Sequence, residues 1–168
     1  MIETERLILQ PLTFSQLVKY FKADHSLEAE LNLNESTGVI SPELQQALEQ
    51  TILPNVADPN RNYLYSTLWT AISKKDNTMV GDLCFLGEPG ADGEVEIGYG
   101  THEEFRNKGF MAEALRGMIK WANEQPNIRS IYAATDIQNV ASFSVLEKNN
   151  FKKFDETETL LKWRLKLA

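Results

Sequence analysis

The residues of this chain best suited to chemistry form a basic turn that contains a glycine, residues 105–111 (FRNKGFM). A strand pattern precedes the turn and a helical pattern follows it. The first N–H groups of a helix have no partners within the helix, and the helix dipole adds partial positive charge there. With the charges of Arg106 and Lys108, these groups predict a phosphate site. The same pattern also fits a plain solvent-exposed connection.

Such a turn needs rigid elements on both sides, and the neighbouring sequence predicts them. Residues 94–100 (EVEIGYG) alternate between apolar and polar positions, which predicts a strand. Residues 128–135 predict a second strand, and a helix follows from Asn139 to about Asn149. The predicted order is therefore strand, phosphate turn, helix, strand, helix.

The first half of the chain predicts a strand, two helices and a hairpin. Residues 6–12 predict the strand, and Thr13 is the expected N-cap of a helix. That helix should pack through an apolar face at i, i+3, i+4, i+7 spacing, made of Phe14, Leu17, Val18 and Phe21. Ser41 and Pro42 predict a second helix that ends near residue 53, with a loop over 54–61. Strands over 63–72 and 79–86 predict the hairpin.

The remaining segments complete the predicted order. Residues 23–40 are polar and show no clear period, so no element is predicted there. Residues 110–122 predict a helix whose apolar stripe includes Met111 and Met118 as core residues. Residues 151–167 should end the chain as one or two strands, with a bend at 157–159.

Composition limits the class of protein. The 168 residues suffice for one substantial core, so we expect one domain over residues 1–168. The single cysteine, Cys84, excludes an internal disulfide, and no Cys and His cluster has metal-ligand spacing, so we expect no metal. The charged N-terminus lacks a signal segment and no run is long enough to span a membrane. These features predict a cytoplasmic protein without a membrane partner, either a monomer or a homodimer.

Charge argues against a nucleic-acid partner and divides the chain unevenly. The formal net charge is −7, whereas polyanion binding needs clustered Lys and Arg. Residues 1–60 carry nine acids and three bases, and the rest of the chain is nearly neutral. If the early acids share one surface, they attract a cationic ligand; scattered solubilising charge explains the same composition.

Six motifs in order make the chain resemble the GNAT N-acetyltransferase superfamily, and within it the branch similar to the RimJ and RimL acetyltransferases of ribosomal-protein N-termini. The motifs cover almost the whole chain. They are TERLIL at 4–9, VGD at 80–82, EIGY at 96–99, RNKGFM at 106–111, NVAS at 139–142 and VLEKNNF at 145–151.

The resemblance implies an α+β fold with a mixed, mostly antiparallel central sheet flanked by helices. The family's fourth and fifth strands run parallel and splay apart to admit acetyl-CoA, the co-substrate; here they are residues 94–100 and 128–135. Pantetheine amides would extend an open strand edge, and the pyrophosphate would lie on the basic turn. Gly98 and Gly100 would permit close backbone approach and a bulge. The family's small residue at the end of the turn is Met111 here, and a frequent tyrosine acid is replaced by Leu146.

The implied activity is transfer of an acetyl group to a primary amine by direct attack in a ternary complex. Glu96 is the first candidate for the base that accepts the amine proton, and Glu94 is the second. Asn139 is either a helix cap or a contact to pantetheine, and Ser142 is either a first-turn polar residue or an aid to the leaving sulfur. The residues expected to bind the cofactor are Ile97, Gly98, Tyr99, Arg106, Asn107, Lys108, Gly109, Phe110, Met111 and Asn139.

Other candidates receive structural interpretations. His25 and His102 each stand alone in the sequence and should have surface or packing roles, and Cys84 should be a packing residue. The acceptor is either a protein N-terminus or a small cationic amine. A catalytically inactive acyl-CoA-binding regulatory module is the alternative function, since Met111 and Leu146 depart from the family pattern.

Overall fold

One eight-stranded sheet organises the chain in the computed structural model, which describes all 168 residues. Its strands are β1 (Ile2–Glu3), β2 (Leu7–Pro11), β3 (Leu68–Ser73), β4 (Thr78–Phe85), β5 (Glu94–Thr101), β6 (Ser130–Asp136), β7 (Lys152–Glu156) and β8 (Leu160–Lys166). The helices are α1 (Phe14–Lys22), α2 (Ser26–Leu31), α3 (Pro42–Ala47), α4 (Leu53–Ala57), α5 (Phe110–Asn123) and α6 (Val140–Lys148). None of these helices is both long and apolar enough to cross a membrane.

The strand order confirms the predicted fold class. The order across the sheet is β1-β2-β3-β4-β5-β6-β8-β7. Every neighbouring pair is antiparallel except β5 and β6, which run parallel. A parallel pair needs a crossover connection, and α5 is that connection. The sheet is therefore mixed and mostly antiparallel, with helices on both faces.

Alternating side chains divide the apolar residues into two cores, one on each face of the sheet. On β2, Leu7 and Leu9 pack into the larger core, together with buried residues of α5 and α6. Ile8, between them, packs against the smaller core, which α1, α2 and the segment 48–52 cover. The sheet therefore separates the α5 and α6 side from the α1 to α4 side.

The first helix begins as predicted, and its packing face differs from the prediction chiefly at Phe14. The Thr13 hydroxyl accepts a hydrogen bond from the Gln16 N–H, and the Thr13 N–H donates to the Gln16 side-chain oxygen, which is a capping box. Leu17 is buried in the smaller core and Phe21 packs against it, as expected. The expected contact through Phe14 is wrong, since Phe14 is 45% exposed and Tyr20 is buried.

The helical region after residue 23 is longer than predicted. Helix α2 lies in the segment for which no element was expected, and it is too short for a period to show. The second predicted helix starts at its Ser41 cap but continues past residue 53 through a π-helical stretch, Leu48–Ile52, into α4. The first part of the loop predicted over 54–61 is wrong, because residues 54–57 remain helical and Pro54 lies within the continuous helical segment 42–57.

The predicted hairpin is confirmed, with a shorter first strand. Residues 63–65 form a 3-10 turn capped by the Asn62 side chain, and β3 starts at Leu68. The chain then returns through β4. The C-terminal residues form two strands, and β8 lies between β6 and β7. Asn150 follows α6 with a left-handed backbone, φ 67°, the conformation that commonly ends a helix.

A polar cluster joins β5, β6 and β8 at the end where β5 and β6 begin to pair. Arg164 Nε of β8 lies 2.5 Å from Glu94 Oε2 of β5, and the Ser130 hydroxyl of β6 donates to the same oxygen at 2.8 Å. The hydrogen bond from Arg164 holds the pKa of Glu94 below its usual value, against the opposing effect of burial. Three strands are therefore fastened at one point.

We predict that Glu94→Gln destabilises the protein by about 1 kcal/mol at neutral pH, since it removes the charge from a half-buried pair. A lowered folded-state pKa contributes stability that is present above the ordinary carboxyl value, 4.5, and is lost as the pH falls through the folded value. Urea unfolding at pH 7 and at about pH 3 should therefore show a gap between variant and wild type that closes in acid.

The control is Glu156→Gln, which removes an exposed pair with Lys153, and it should change stability little at either pH. A gap for Glu94→Gln that stays constant between the two pH values would contradict the role given to this ion pair.

Candidate functional site

The parallel strands β5 and β6 separate after three residue pairs. Glu94, Val95 and Glu96 pair with residues 130–132, and no pairing follows. Beyond that point β5 stays with β4 as far as Thr101, and β6 stays with β8 as far as Asp136. A gap therefore opens between residues 97 and 133, at the place predicted for the splayed pair.

The basic turn lies beside this gap and has the backbone of an anion site. Asn107 and Gly109 adopt left-handed conformations, φ 62° and 77°, and α5 starts at the next residue, Phe110. The N–H groups of residues 107–112 donate to no protein carbonyl or side chain. Arg106 and Lys108 are exposed on either side. The N–H groups and the two cations present the chemistry that a diphosphate needs.

Met111 does not disturb the turn, because its side chain points into the core. It is 5% exposed and belongs to the larger core. Leu146, at the position of the family's tyrosine, is fully buried in the same core. Both departures from the family pattern are thus residues of the core rather than residues of the gap.

The N-terminal segment braces the turn, which the sequence alone did not predict. Arg6 donates from a terminal nitrogen to the Lys108 carbonyl at 2.9 Å, and its Nε lies 2.7 Å from Glu113 Oε1 on α5. The Thr4 hydroxyl also donates to Glu113, and the Arg6 guanidinium lies 4.5 Å from the centre of the Phe110 ring. The TERLIL motif at residues 4–9 therefore holds the start of α5 in place.

The start of α6 reaches β5 across the gap. Asn139 is the N-cap, and its Oδ1 accepts from the Ser142 N–H at 3.1 Å, so its predicted capping role is present. The Tyr99 hydroxyl donates to the Ser142 carbonyl at 2.8 Å and accepts from the Ser142 hydroxyl at 3.4 Å. Burial raises the pKa of Tyr99 to about 12, so the phenol stays protonated at neutral pH.

Glu96 and Glu94 lie on the same face of β5 but differ in their surroundings. Glu94 is held by Arg164, which makes it a weak base. Glu96 is half-buried, has no side-chain hydrogen bond or ion pair, and burial raises its pKa. The pairing of β4 with β5 is regular from Ile97 to Thr101, so the bulge expected at Gly98 and Gly100 is absent.

A cleft of about 660 Å³ lies on the α1 side of the same β5 segment. Its walls come from β4, from residues 98–104 and 106, and from the loop that precedes α3. Gly98 and Gly100 face it: a Cβ at Gly100 would meet nothing within 4 Å, and one at Gly98 would meet only Leu86 and Cys84. The unpaired part of β5 is therefore exposed to the gap and to the cleft.

Three polar residues of the cleft were missed as functional candidates. Asp82 Oδ2 accepts a 2.6 Å hydrogen bond from the Tyr20 hydroxyl. His102 Nε2 lies 3.9 Å from the same oxygen, and its Nδ1 lies 3.1 Å from the Met79 carbonyl. His102 was expected to be a lone surface or packing residue, whereas it lies in the cleft wall. The signal for Asp82 was a charged residue inside an otherwise apolar strand.

The other titratable candidates from the sequence are His25 and Cys84. His25 contacts Glu28 rather than the main cleft. Cys84 lines the cleft, and burial raises the pKa of its thiol to about 11, so it is not a thiolate nucleophile.

No three His, Cys, Asp or Glu side chains are arranged to hold a metal ion. None of the nine acids of residues 1–60 lines the main cleft; its carboxylates are Asp82, Glu103 and Glu104.

Comparison with known proteins agrees with this geometry. A family model described as an acetyltransferase (GNAT) domain matches residues 6–152. The chain is 28% identical over 151 residues to an uncharacterized N-acetyltransferase, YjdG, of Bacillus subtilis, and the match covers 90% of this chain and 89% of that protein.

Solved structures share the fold at low sequence identity. A ribosomal-protein-S5-alanine acetyltransferase from Vibrio fischeri superposes with a TM-score of 0.67 at 21% identity, over 98% of this chain and 94% of that one. RimL, a ribosomal L7/L12 α-N-protein acetyltransferase solved with coenzyme A, gives 0.69 at 17% identity, over 98% and 96%.

We predict that Gly109→Ala lowers affinity for coenzyme A about tenfold, because a left-handed alanine costs roughly 1–2 kcal/mol and shifts the turn. The new Cβ would also lie 3.4 Å from the Arg6 guanidinium. Calorimetric titration with coenzyme A measures the effect.

The matched control is Gly87→Ala, at a second glycine with positive φ whose Cβ would meet nothing within 4 Å. It also places an alanine at a positive φ, 110° rather than 77°, away from the turn, and it should bind coenzyme A normally. Equal affinities in the two variants would argue against the turn as the diphosphate site.

Proposed function

Because the chain belongs to the GNAT acetyltransferase family, we propose that it is an N-acetyltransferase that moves an acetyl group from acetyl-CoA to a primary amine. The observation that supports this most is the position of β5 residues 97–101. All of them lack a β6 partner, and residues 98–101 also line the cleft. A donor in the gap and an acceptor in the cleft would meet at this strand.

The donor site consists of the basic turn and the gap. The free N–H groups of residues 107–112, with Arg106 and Lys108, hold the pyrophosphate. The open edge of β5 at Ile97, Gly98 and Tyr99 pairs with the pantetheine amides and directs an N–H at the thioester oxygen. Asn139 contributes its side-chain amide, whose nitrogen has no protein partner, from the other side of the gap.

Transfer proceeds by direct attack in a ternary complex. Glu96 accepts a proton from the acceptor ammonium, directly or through water, and the freed lone pair attacks the thioester carbonyl carbon. A C–N bond forms, the C–S bond breaks, and the sulfur leaves with the electron pair. The nitrogen then gives up its second proton and the thiolate takes one up, a transfer that the Ser142 hydroxyl, linked to the protonated Tyr99 phenol, assists. Holding both reactants together supplies the largest part of the acceleration, on the order of 7–11 kcal/mol.

The proposed acceptor is a protein N-terminus or a small cationic amine. RimL, among the similar structures, is an α-N-protein acetyltransferase, and the acids of the cleft suit the positive charge of either acceptor. The test is release of free thiol from acetyl-CoA against panels of peptides and small amines. Thiol release that requires an amine supports the proposal. Tight coenzyme A binding with no turnover across a broad panel would instead favour a non-catalytic acyl-CoA-binding module.

We predict that Glu96→Gln lowers kcat about 10²–10⁴-fold, the usual contribution of a general base. In the wild type, kcat/KM should fall as the pH drops through the pKa of Glu96, which burial places above its ordinary value of 4.5. In the variant, this fall of kcat/KM at acidic pH should be absent. Thiol-release assays over a range of pH measure kcat/KM for both proteins.

The matched control is Glu94→Gln, two residues away on the same strand face. It should lose some stability but keep the fall of kcat/KM at acidic pH, because Glu94 is held by Arg164. A wild-type pH profile in Glu96→Gln would show that another group is the base.

A further inference from the structure

The loop before α3 forms one wall of the main cleft but is held mainly by side chains. We call residues 35–40 of this loop the strap. No backbone N–H or carbonyl of the strap takes part in a backbone–backbone hydrogen bond. The Ser36 N–H instead donates to Glu28 Oε2 of α2 at 3.2 Å, and the Gly38 N–H donates to the Ser36 hydroxyl at 3.1 Å. A segment with so few bonds opens at a low cost in free energy.

The strap has space on both of its faces. Thr37, Gly38 and Val39 line the main cleft of about 660 Å³, and the same three residues line a second cleft of about 580 Å³. The two clefts share no other residue: β4 and β5 complete the first, whereas the end of α1 contributes to the second. Val39 is 90% exposed. The strap is therefore a thin wall that can move toward the second cleft without displacing core side chains.

Gly38 seats the strap on the imidazole of His102. A Cβ at Gly38 would lie 2.6 Å from His102 Nδ1 and 2.7 Å from its Cε1, closer than such carbons come to other heavy atoms. The ring has little room to yield, since Nδ1 lies 3.1 Å from the Met79 carbonyl and the side chain is only 14% exposed. The seat therefore requires glycine, because only a residue without a side chain leaves room for the ring.

A second contact ties the strap to the segment that follows β5. The Thr37 hydroxyl donates to Glu104 Oε1 at 2.5 Å. Glu104 belongs to the 3-10 turn Glu103–Phe105, which follows His102 directly. Both contacts hold the strap against residues 102–104, which line the main cleft. Together they set the distance between the strap and β5, and hence the width of that cleft.

We propose that the strap is a movable wall of the main cleft, and that the seat of Gly38 on His102 limits the size of the acceptor. The inference rests on the proposed function, which places the acceptor in this cleft, and it adds what determines acceptor size. With the strap seated, the cleft has the volume of a small-molecule site. With the strap displaced, the two clefts join and a longer amine enters.

The test uses the single cysteine of the chain, Cys84, which lines the main cleft and is partly exposed. It compares the rates at which the full chain reacts with N-ethylmaleimide, which is small, and with N-pyrenylmaleimide, which is bulky and also uncharged. Each rate is divided by the rate of the same reagent with glutathione. The bulky-to-small ratio then reports the width of the cleft, since a changed thiol pKa affects both rates equally. In the wild type this ratio should be below about one tenth.

Gly38→Ala should raise the ratio about tenfold, because the new methyl group would overlap His102 and lift the strap. Thr37→Val keeps the shape of the side chain but removes the bond to Glu104, and it should raise the ratio about fivefold. In a His102→Ala background, which lacks the ring, Gly38→Ala should change the ratio less than about twofold. This loss of effect identifies the seat itself rather than a general loss of stability.

The matched control is Gly90→Ala, which adds the same methyl group in a loop that lines neither cleft and should leave the ratio unchanged. Opening of the strap should leave the rate with N-ethylmaleimide within about threefold of the wild type, whereas unfolding raises both rates steeply. Should Gly38→Ala fail to fold by this criterion, Thr37→Val decides the question alone.

The outcomes separate this inference from the proposed function. An unchanged ratio in folded Gly38→Ala, an unchanged ratio in Thr37→Val, or an equal rise in the His102→Ala background would each overturn the inference. If amines still support thiol release from acetyl-CoA in that case, the proposed function stands. If the ratio rises as expected but no amine supports thiol release, the proposed function fails and the strap remains the movable wall of a binding cleft.

Discussion

The short pairing of β5 with β6 is the constraint on which the rest of the structure depends. Only three residue pairs join the two strands, and the Arg164–Glu94–Ser130 cluster fastens them there. Beyond this point each strand keeps a single partner, so polar backbone groups remain free at the edge of the gap. Buried backbone groups without partners are costly, which means that the gap must remain open to water or a ligand.

The two sides of the gap are held by different parts of the chain. The N-terminal segment fixes the basic turn through Arg6 and Glu113, more than one hundred residues apart. Tyr99 and Ser142 link β5 to the start of α6. Since neither link fills the gap, each sets its width while leaving the strand edge free. The geometry of the proposed donor site is thus a property of long-range contacts and not of the turn alone.

Local signals predicted the elements that position the proposed donor site. The alternating pattern before residue 101, the glycine in the turn and the Asn139 cap each depend on nearby residues, so the sequence alone indicates them. Errors arose where tertiary contacts decide. Tyr20 is buried and donates a hydrogen bond to Asp82 of β4, whereas Phe14 is exposed. The helix that begins at Pro42 continues past Pro54 through a π-helical stretch.

The cleft on the α1 side of β5 could not be predicted, because its residues come together only in the folded sheet. The sequence suggested that acids of the first third might collect on one surface, yet the cleft takes its carboxylates from residues 82, 103 and 104. Asp82 became prominent only when the register of β3, β4 and β5 placed it beside two glycines and beneath Tyr20. Net charge by segment reports the long-range field of a chain, whereas the lining of one cleft depends on which strands the fold brings together. The excess of acids before residue 60 therefore did not predict which carboxylates line the cleft.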